Sequence, residues 1–218
     1  MGASDCLRTY TVPELERIAQ QQLQKLKKLG HSAIPVDIEV IVEQAEIEID
    51  VKRGLKEVHS IWGMVAINLD TDSLIILVDD TLLDSDRLCN LYRMTVAEEF
   101  AHSLLHGNAI KEIKTVEDFK ALQNHPDWHK HDRNAKWLAA SLLMPSESTL
   151  NDSRELYGQM VTIAGYKNPE VIKKYIANDL TKRYEVSPQA MKYRLEKWPI
   201  EVMDKIDRAM KNGLDFLD

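Results

Sequence analysis

The 218-residue chain has little cysteine. Only Cys6 and Cys89 occur, and they form no CxxC pair. Two such thiols make no disulfide framework, which fits a reducing compartment. Long apolar runs are also missing. The stretch Ser73–Val78 is among the longest, far short of the roughly 20 residues a bilayer needs. Met1-Gly2-Ala3-Ser4-Asp5 lacks the charged-then-apolar pattern of a secretion signal. Secretion and membrane insertion are therefore not expected, and a cytoplasmic location is. There is no excess of positive charge either. Lys plus Arg number 28 against 35 Asp plus Glu, a net charge of -7. That argues against a DNA coat or a polybasic membrane binder, although a local basic face could survive. What remains is an ordinary globular composition, 44% hydrophobic and 29% charged. It supplies a core without staples and excludes disorder throughout. At about 150 residues per domain the length predicts one large domain or one and a half. No internal repeat or low-complexity segment interrupts it.

Thr11-Val12-Pro13-Glu14 reads as a capping box with proline in the first turn. The helix it opens carries Leu15, Ile18, Leu23 and Leu26, gathers Lys25, Lys27 and Lys28 in its last turns and ends at Gly30. A second helix is expected from Pro35 to about Ala45. Ile47, Ile49 and Val51 alternate with Glu48 and Asp50 as in a half-buried strand. Ile61 to Asn68 and Leu74 to Val78 read as two more strands, joined by a turn at Asp70-Thr71-Asp72. The three are expected to make a small antiparallel sheet. A long helix follows from about Ser85 to His106, with Leu88, Leu91, Met94, Ala97, Ala101 and Leu105 on one stripe. Residues 107–131 read as polar and irregular. Another helix is expected from Asp132 to Leu143, a helical stretch from Ser146, and two last helices at 169–185 and 187–197. The class is α+β, mostly helical with a small three-stranded sheet.

The chemistry lies in Glu98-Glu99-Phe100-Ala101-His102-Ser103-Leu104-Leu105-His106. Glu98, His102 and His106 are spaced i, i+4, i+8 along one helix face, with Glu99 one step round. A metal needs deprotonated donors converging from one side. A further donor has to come from elsewhere, and Asp132 on the next helix is placed to supply it.

Together with Asp132-Arg133-Asn134-Ala135-Lys136-Trp137-Leu138-Ala139-Ala140-Ser141-Leu142-Leu143-Met144-Pro145, this segment resembles the ImmA/IrrE family of metallopeptidases. That family's pattern is roughly R-F-T-x-A-H-E-x-G-H-x-x-L-H followed by E-x-E-A-N-x-F-A-x-x-L-L-M-P. Ile34–Ile38 resembles the family's entry to its second helix, and Leu180–Leu195 its C-terminal helix-turn-helix-like segment. The resemblance implies a metallopeptidase-like domain at 1–145 and a C-terminal helical module at 146–218. It implies Glu99 as the general base and a metal held by Glu98, His102 and Asp132. It also implies that the partner is a helix-turn-helix transcriptional repressor of a mobile element or stress regulon, either cleaved or simply bound.

The departures carry weight. HExxH reads Glu98-Glu99-Phe100-Ala101-His102, so Glu98 stands where the family's first metal histidine would be. Asp132 replaces a glutamate, Lys136 a small polar residue and Ala101 a glycine. One imidazole and two carboxylates leave a divalent ion nearly neutral and therefore a weaker Lewis acid. Such harder donors suit manganese, iron or magnesium as well as zinc. The rival reading is a metal-free relative that binds its partner without cutting it, with the ammonium of Lys136, or Arg133, in the ion's place.

Other residues have plainer readings. His106 is read as a cation at a helix C-terminus, with a His102–His106 pair rebuilding the site one turn along as the alternative. His125, His129 and His131 are read as solvated loop histidines rather than replacement ligands. Trp128, Trp137 and Trp198 are read as core, and Arg93 as a structural ion-pair former. Glu98 itself could be a surface ion-pair residue if the cleft is closed. Leu74 to Val78 is the expected edge for an extended substrate. Residues 166–197 hold eight Lys or Arg against four acids, a modest excess, and direct DNA binding is not expected.

Overall fold

In the computed structural model, residues 7–31, 34–68, 70–113, 122, 124–163 and 165–212 are described. Cys6, and 114–121 and 123 of the polar segment, lie outside them. The chain divides into two compact units. One comprises residues 1–33 and 37–142, the other 34–36 and 143–218.

The first unit opens with α1 (Val12–Lys28). Its N-terminus is closed by Glu14, which accepts from the Thr11 N–H and hydroxyl, both at 2.8 Å. α2 is shorter than its apolar pattern suggests, Ile38–Glu43, because Asp37 caps it by accepting from the Val40 N–H at 3.2 Å. β1 (Glu48–Lys52), β2 (Gly63–Asn68) and β3 (Ser73–Asp79) form one sheet in the order β1-β3-β2. β2 and β3 pair antiparallel through the turn at residues 70–72. β1 and β3 pair parallel, which corrects the all-antiparallel expectation. Between β1 and β2 the chain makes a short helix, α3 (Leu55–His59), and this crossover lets β3 return beside β1 in the same direction. β3 is therefore central, and its backbone is paired on both sides. The idea that Leu74 to Val78 could accept a substrate strand is withdrawn.

Asp79 ends β3 as a fully buried carboxylate. Burial works against its charge, yet hydrogen bonds from Lys56 and Thr81 hold its pKa below the usual range. α4 (Cys89–Lys111) lies on β2 and β3, with Val96, Ala97 and Phe100 fully buried. Close approach is possible because β2 opens with a glycine. A Cβ on Gly63 would meet Thr95 Cγ2 at 2.6 Å and Glu99 Cγ at 3.1 Å.

α5 spans Trp128–Leu143 and begins a turn before Asp132, not at it. The N-terminal segment fastens it. The Tyr10 N–H donates to Asn134 Oδ1 at 2.9 Å, and Asn134 Nδ2 donates to the Tyr10 carbonyl at 3.0 Å. Glu16 then accepts from Ser141 Oγ at 2.8 Å and Trp137 Nε1 at 3.3 Å.

The second unit contains α6 (Ser146–Gly158), α7 (Pro169–Tyr184), α8 (Pro188–Glu196) and α9 (Val202–Asn212). α9 was not expected from the sequence. A positive-φ residue, Glu185, and the Ser187 cap join α7 to α8. Tyr184 is fully buried and donates to Asp152 at 2.7 Å. Arg194, 2% exposed, donates to the Met144 carbonyl and Ser146 Oγ. Among the described residues, no helix is long and apolar enough to cross a membrane.

Candidate metal centre

A cleft of about 390 Å³ lies in the first unit, walled by Trp62, by Gly63–Val65 of β2, by α4 and by α5. Glu98 and His102 are one turn apart on α4, and Asp132 reaches in from α5. One ligand atom from each lies within 4.8 Å of the others. His102 turns Nε2 toward this group, 3.9 Å from Asp132 Oδ1. Trp128 stacks on the His102 ring at 5.9 Å with an interplanar angle of 16°. Lys136, one turn beyond Asp132, sets its ammonium 2.7 Å from Asp132 Oδ2 and 3.8 Å from Glu98 Oε1.

The charges are unbalanced. Burial raises the pKa of Glu98, although Lys136 opposes it. Glu99 is pushed up to about 8, first by burial and then by the neighbouring Glu98 carboxylate, despite a hydrogen bond from the Val65 backbone. Burial works against the charge of Lys136 as well, but Asp132 and Glu98 hold its pKa above its usual range. Burial lowers His102 to about 4, leaving a neutral imidazole available as a donor. If all three carboxyls ionise, one ammonium leaves two negative charges uncompensated, which a divalent cation would cancel. The donor set is one imidazole and two carboxylates. It fits a divalent ion and is harder than a set with two imidazoles.

Glu98, Glu99, His102 and Asp132 all border this cleft. A family model described as the IrrE N-terminal-like domain matches residues 90–196, which include α4 and α5 with every cleft residue they bear. Over these residues, just under half of the chain, the protein matches the ImmA/IrrE family. It is metallopeptidase-like, and its Glu/His/Asp group is positioned for a divalent metal. No curated protein matches it.

The histidines outside the motif need correcting. His106 is no helix-end cation. α4 runs on to Lys111, so His106 is interior, 1% exposed, and burial lowers its pKa to about 3. His131 is no solvated loop residue, being 2% exposed on α5, its ring 5.3 Å from that of His106. His129 is exposed but lies in the first turn of α5 and not in a loop, while His125 precedes the helix and is half-buried. None of these joins the Glu98–His102–Asp132 group. Trp128 is not simply core, since it lines the cleft. Trp198 is 49% exposed. Gly63 escaped notice because a lone glycine opening a strand carries no motif. Its only sequence signal is that it interrupts an otherwise bulky run.

Proposed function

We propose that this protein is a metal-dependent endopeptidase acting on a helix-turn-helix transcriptional repressor, of the kind that governs a mobile element. The observation that carries the reading is the cleft's charge. The Glu98 and Asp132 carboxyls and a neutral imidazole converge within 4.8 Å, against the single ammonium of Lys136. The family match supports the rest. Glu98, His102 and Asp132 would hold the ion, either zinc or, given the harder donors, manganese. Bound there, a metal would supply Lewis acidity and make a water molecule acidic enough to attack a peptide carbonyl. Glu99 stands beside the group with a raised pKa, suited to take a proton and later return it to a leaving amine. β2 is an outer strand, and Gly63–Val65 line the cleft, so an extended segment of the repressor would lie along it.

Direct DNA binding is not part of the proposal. Lys173 pairs with Asp207 and Glu170, and Arg183 with Asp152 and Asp179. Arg194 is buried. Lys167, Lys174, Lys182 and Lys197 stay exposed, a modest positive charge on a chain whose net charge is -7.

One observation favours a second reading, a metal-free binder of the same partner: the Lys136 ammonium already bonds Asp132 and approaches Glu98. Elemental mass spectrometry of the purified protein and of His102→Ala separates the two. About one equivalent of a transition metal, lost in the variant, supports the enzyme. Little metal in both, even after incubation with zinc or manganese, supports the binder. Repressor loss on co-expression, abolished by Glu99→Gln, would then establish cleavage.

A further inference from the structure

Three imidazoles run inward from the cleft. His102 is 8% exposed, His106 1% and His131 2%. His102 directs Nε2 at Asp132. Its Nδ1 lies 3.1 Å from Nδ1 of His106. Two ring nitrogens at that distance share one proton, and either ring could be the donor. All three rings are buried, and a neutral imidazole carries a single N–H.

The far end of the row breaks the tie. His131 makes a hydrogen bond to the Arg8 backbone that favours its protonated form, so the ring donates to the Arg8 carbonyl. Nδ1 of His131 has no partner, which assigns that donor to Nε2 and leaves a bare lone pair on Nδ1. Nε2 of His106 is likewise buried without a partner, and the two rings meet edge-on at 5.3 Å and 82°. If His106 donated to His102, its Nε2 would be a second bare lone pair near that of His131. Two buried acceptors with no donor between them are costly. If His102 donates, the His106 proton moves to Nε2, and a donor stands beside an acceptor. A small shift or one water then satisfies both.

We propose that His102, His106 and His131 form a one-way chain of imidazoles, ending on the Arg8 carbonyl, in which His106 is a positioning residue that fixes the tautomer of His102. The chain leaves a bare Nε2 on His102 facing Glu98 and Asp132, the form in which a neutral histidine can bind a metal. Its usefulness rests on the metal reading above, but its proton arrangement does not.

The test is ¹⁵N NMR of the histidine rings in metal-stripped protein near pH 7, with calorimetric titration of Zn²⁺ and Mn²⁺ into wild type, His106→Asn and His106→Leu. The chain requires His102 protonated on Nδ1 and His106 on Nε2. His106→Asn puts an amide oxygen where Nδ1 accepted and should keep the His102 tautomer and metal affinity within a few-fold. His106→Leu offers no acceptor; it should mix the His102 tautomers and weaken metal binding about 10- to 100-fold. A wild-type His102 protonated on Nε2 overturns the chain, even if metal binds. So do Asn and Leu variants that behave alike. A His102 protonated on Nδ1 in a protein that takes up no metal upholds the chain and sinks the metal reading.

Discussion

Lys136 should weaken metal binding, and its removal should strengthen it. The ammonium lies 2.7 Å from Asp132 Oδ2 and 3.8 Å from Glu98 Oε1, so an arriving cation meets carboxylates already engaged. A unit-charge pair near 4 Å is worth about 1 kcal/mol in water and about 4 at an effective dielectric of 20. The Lys136 side chain is 56% exposed, which puts it near the aqueous end. Two such pairs together then oppose the metal by about 1–2 kcal/mol, roughly 5- to 30-fold in affinity. Lys136→Gln keeps the length and removes the charge. Calorimetric titration of Mn²⁺ or Zn²⁺ into chelator-stripped protein should show the variant binding tighter by that factor. Lys136→Arg, which keeps the charge, should stay near wild type. A Lys136→Gln protein that folds normally by circular dichroism yet binds no tighter would refute the reasoning. It would mean that the lysine supports the ligands rather than competing for them.

Three further outcomes are expected. The metal-stripped protein should be most stable near pH 6.5. Glu99 is raised to about 8, so its contribution is present below the ordinary carboxylate range and is lost as pH rises toward 8. His102 and His106 are depressed to about 4 and 3, so theirs is present above 6.5 and is lost as pH falls. Urea midpoints across pH 5–9 check this, and Glu99→Gln should flatten the alkaline fall. Gly63→Ala should cost about 1–3 kcal/mol by overpacking, because its Cβ would sit 2.6 Å from Thr95 Cγ2. Adding Thr95→Ser, which deletes that methyl, should restore part of the melting temperature; no recovery would show that the clash lies with the Leu77 carbonyl instead. Asp79→Asn should lose about 2–3 kcal/mol in urea unfolding, since an uncharged amide replaces a buried carboxylate that accepts from Lys56 and Thr81.

Local signals made much of this molecule legible. The Thr11–Glu14 box, the Ser187-Pro188 start and the strand alternation at Ile47–Val51 each depend on neighbours within a few residues, and each marks an element in the structure. The spacing of Glu98 and His102 likewise places them on one wall of the cleft. What stayed hidden depends on tertiary partners. The direction of β1 was set by a short crossover helix with little periodicity of its own. His106 and His131 looked polar and therefore exposed. Only the meeting of two helices distant in sequence buries them against each other. The end of α4 was misplaced for a similar reason: its last turn, with Ala109 and Ile110 buried, is held by packing rather than by a cap.

The tie between the N-terminal segment and α5 has a consequence for the order in which the molecule matures. Tyr10 and Asn134 are 124 residues apart, as are His131 and its Arg8 anchor to within a residue. During synthesis this segment leaves the ribosome 124 residues ahead of its partner and must wait for it before it can dock. Asp132 and Lys136 belong to the helix that it docks on. The cleft is therefore completed late, by a long-range closure that is slow compared with helix formation. A nascent chain interrupted before residue 132 would carry Glu98, Glu99 and His102 without their opposite wall. Such a fragment would fold in part and lack Asp132, the third member of the candidate metal group.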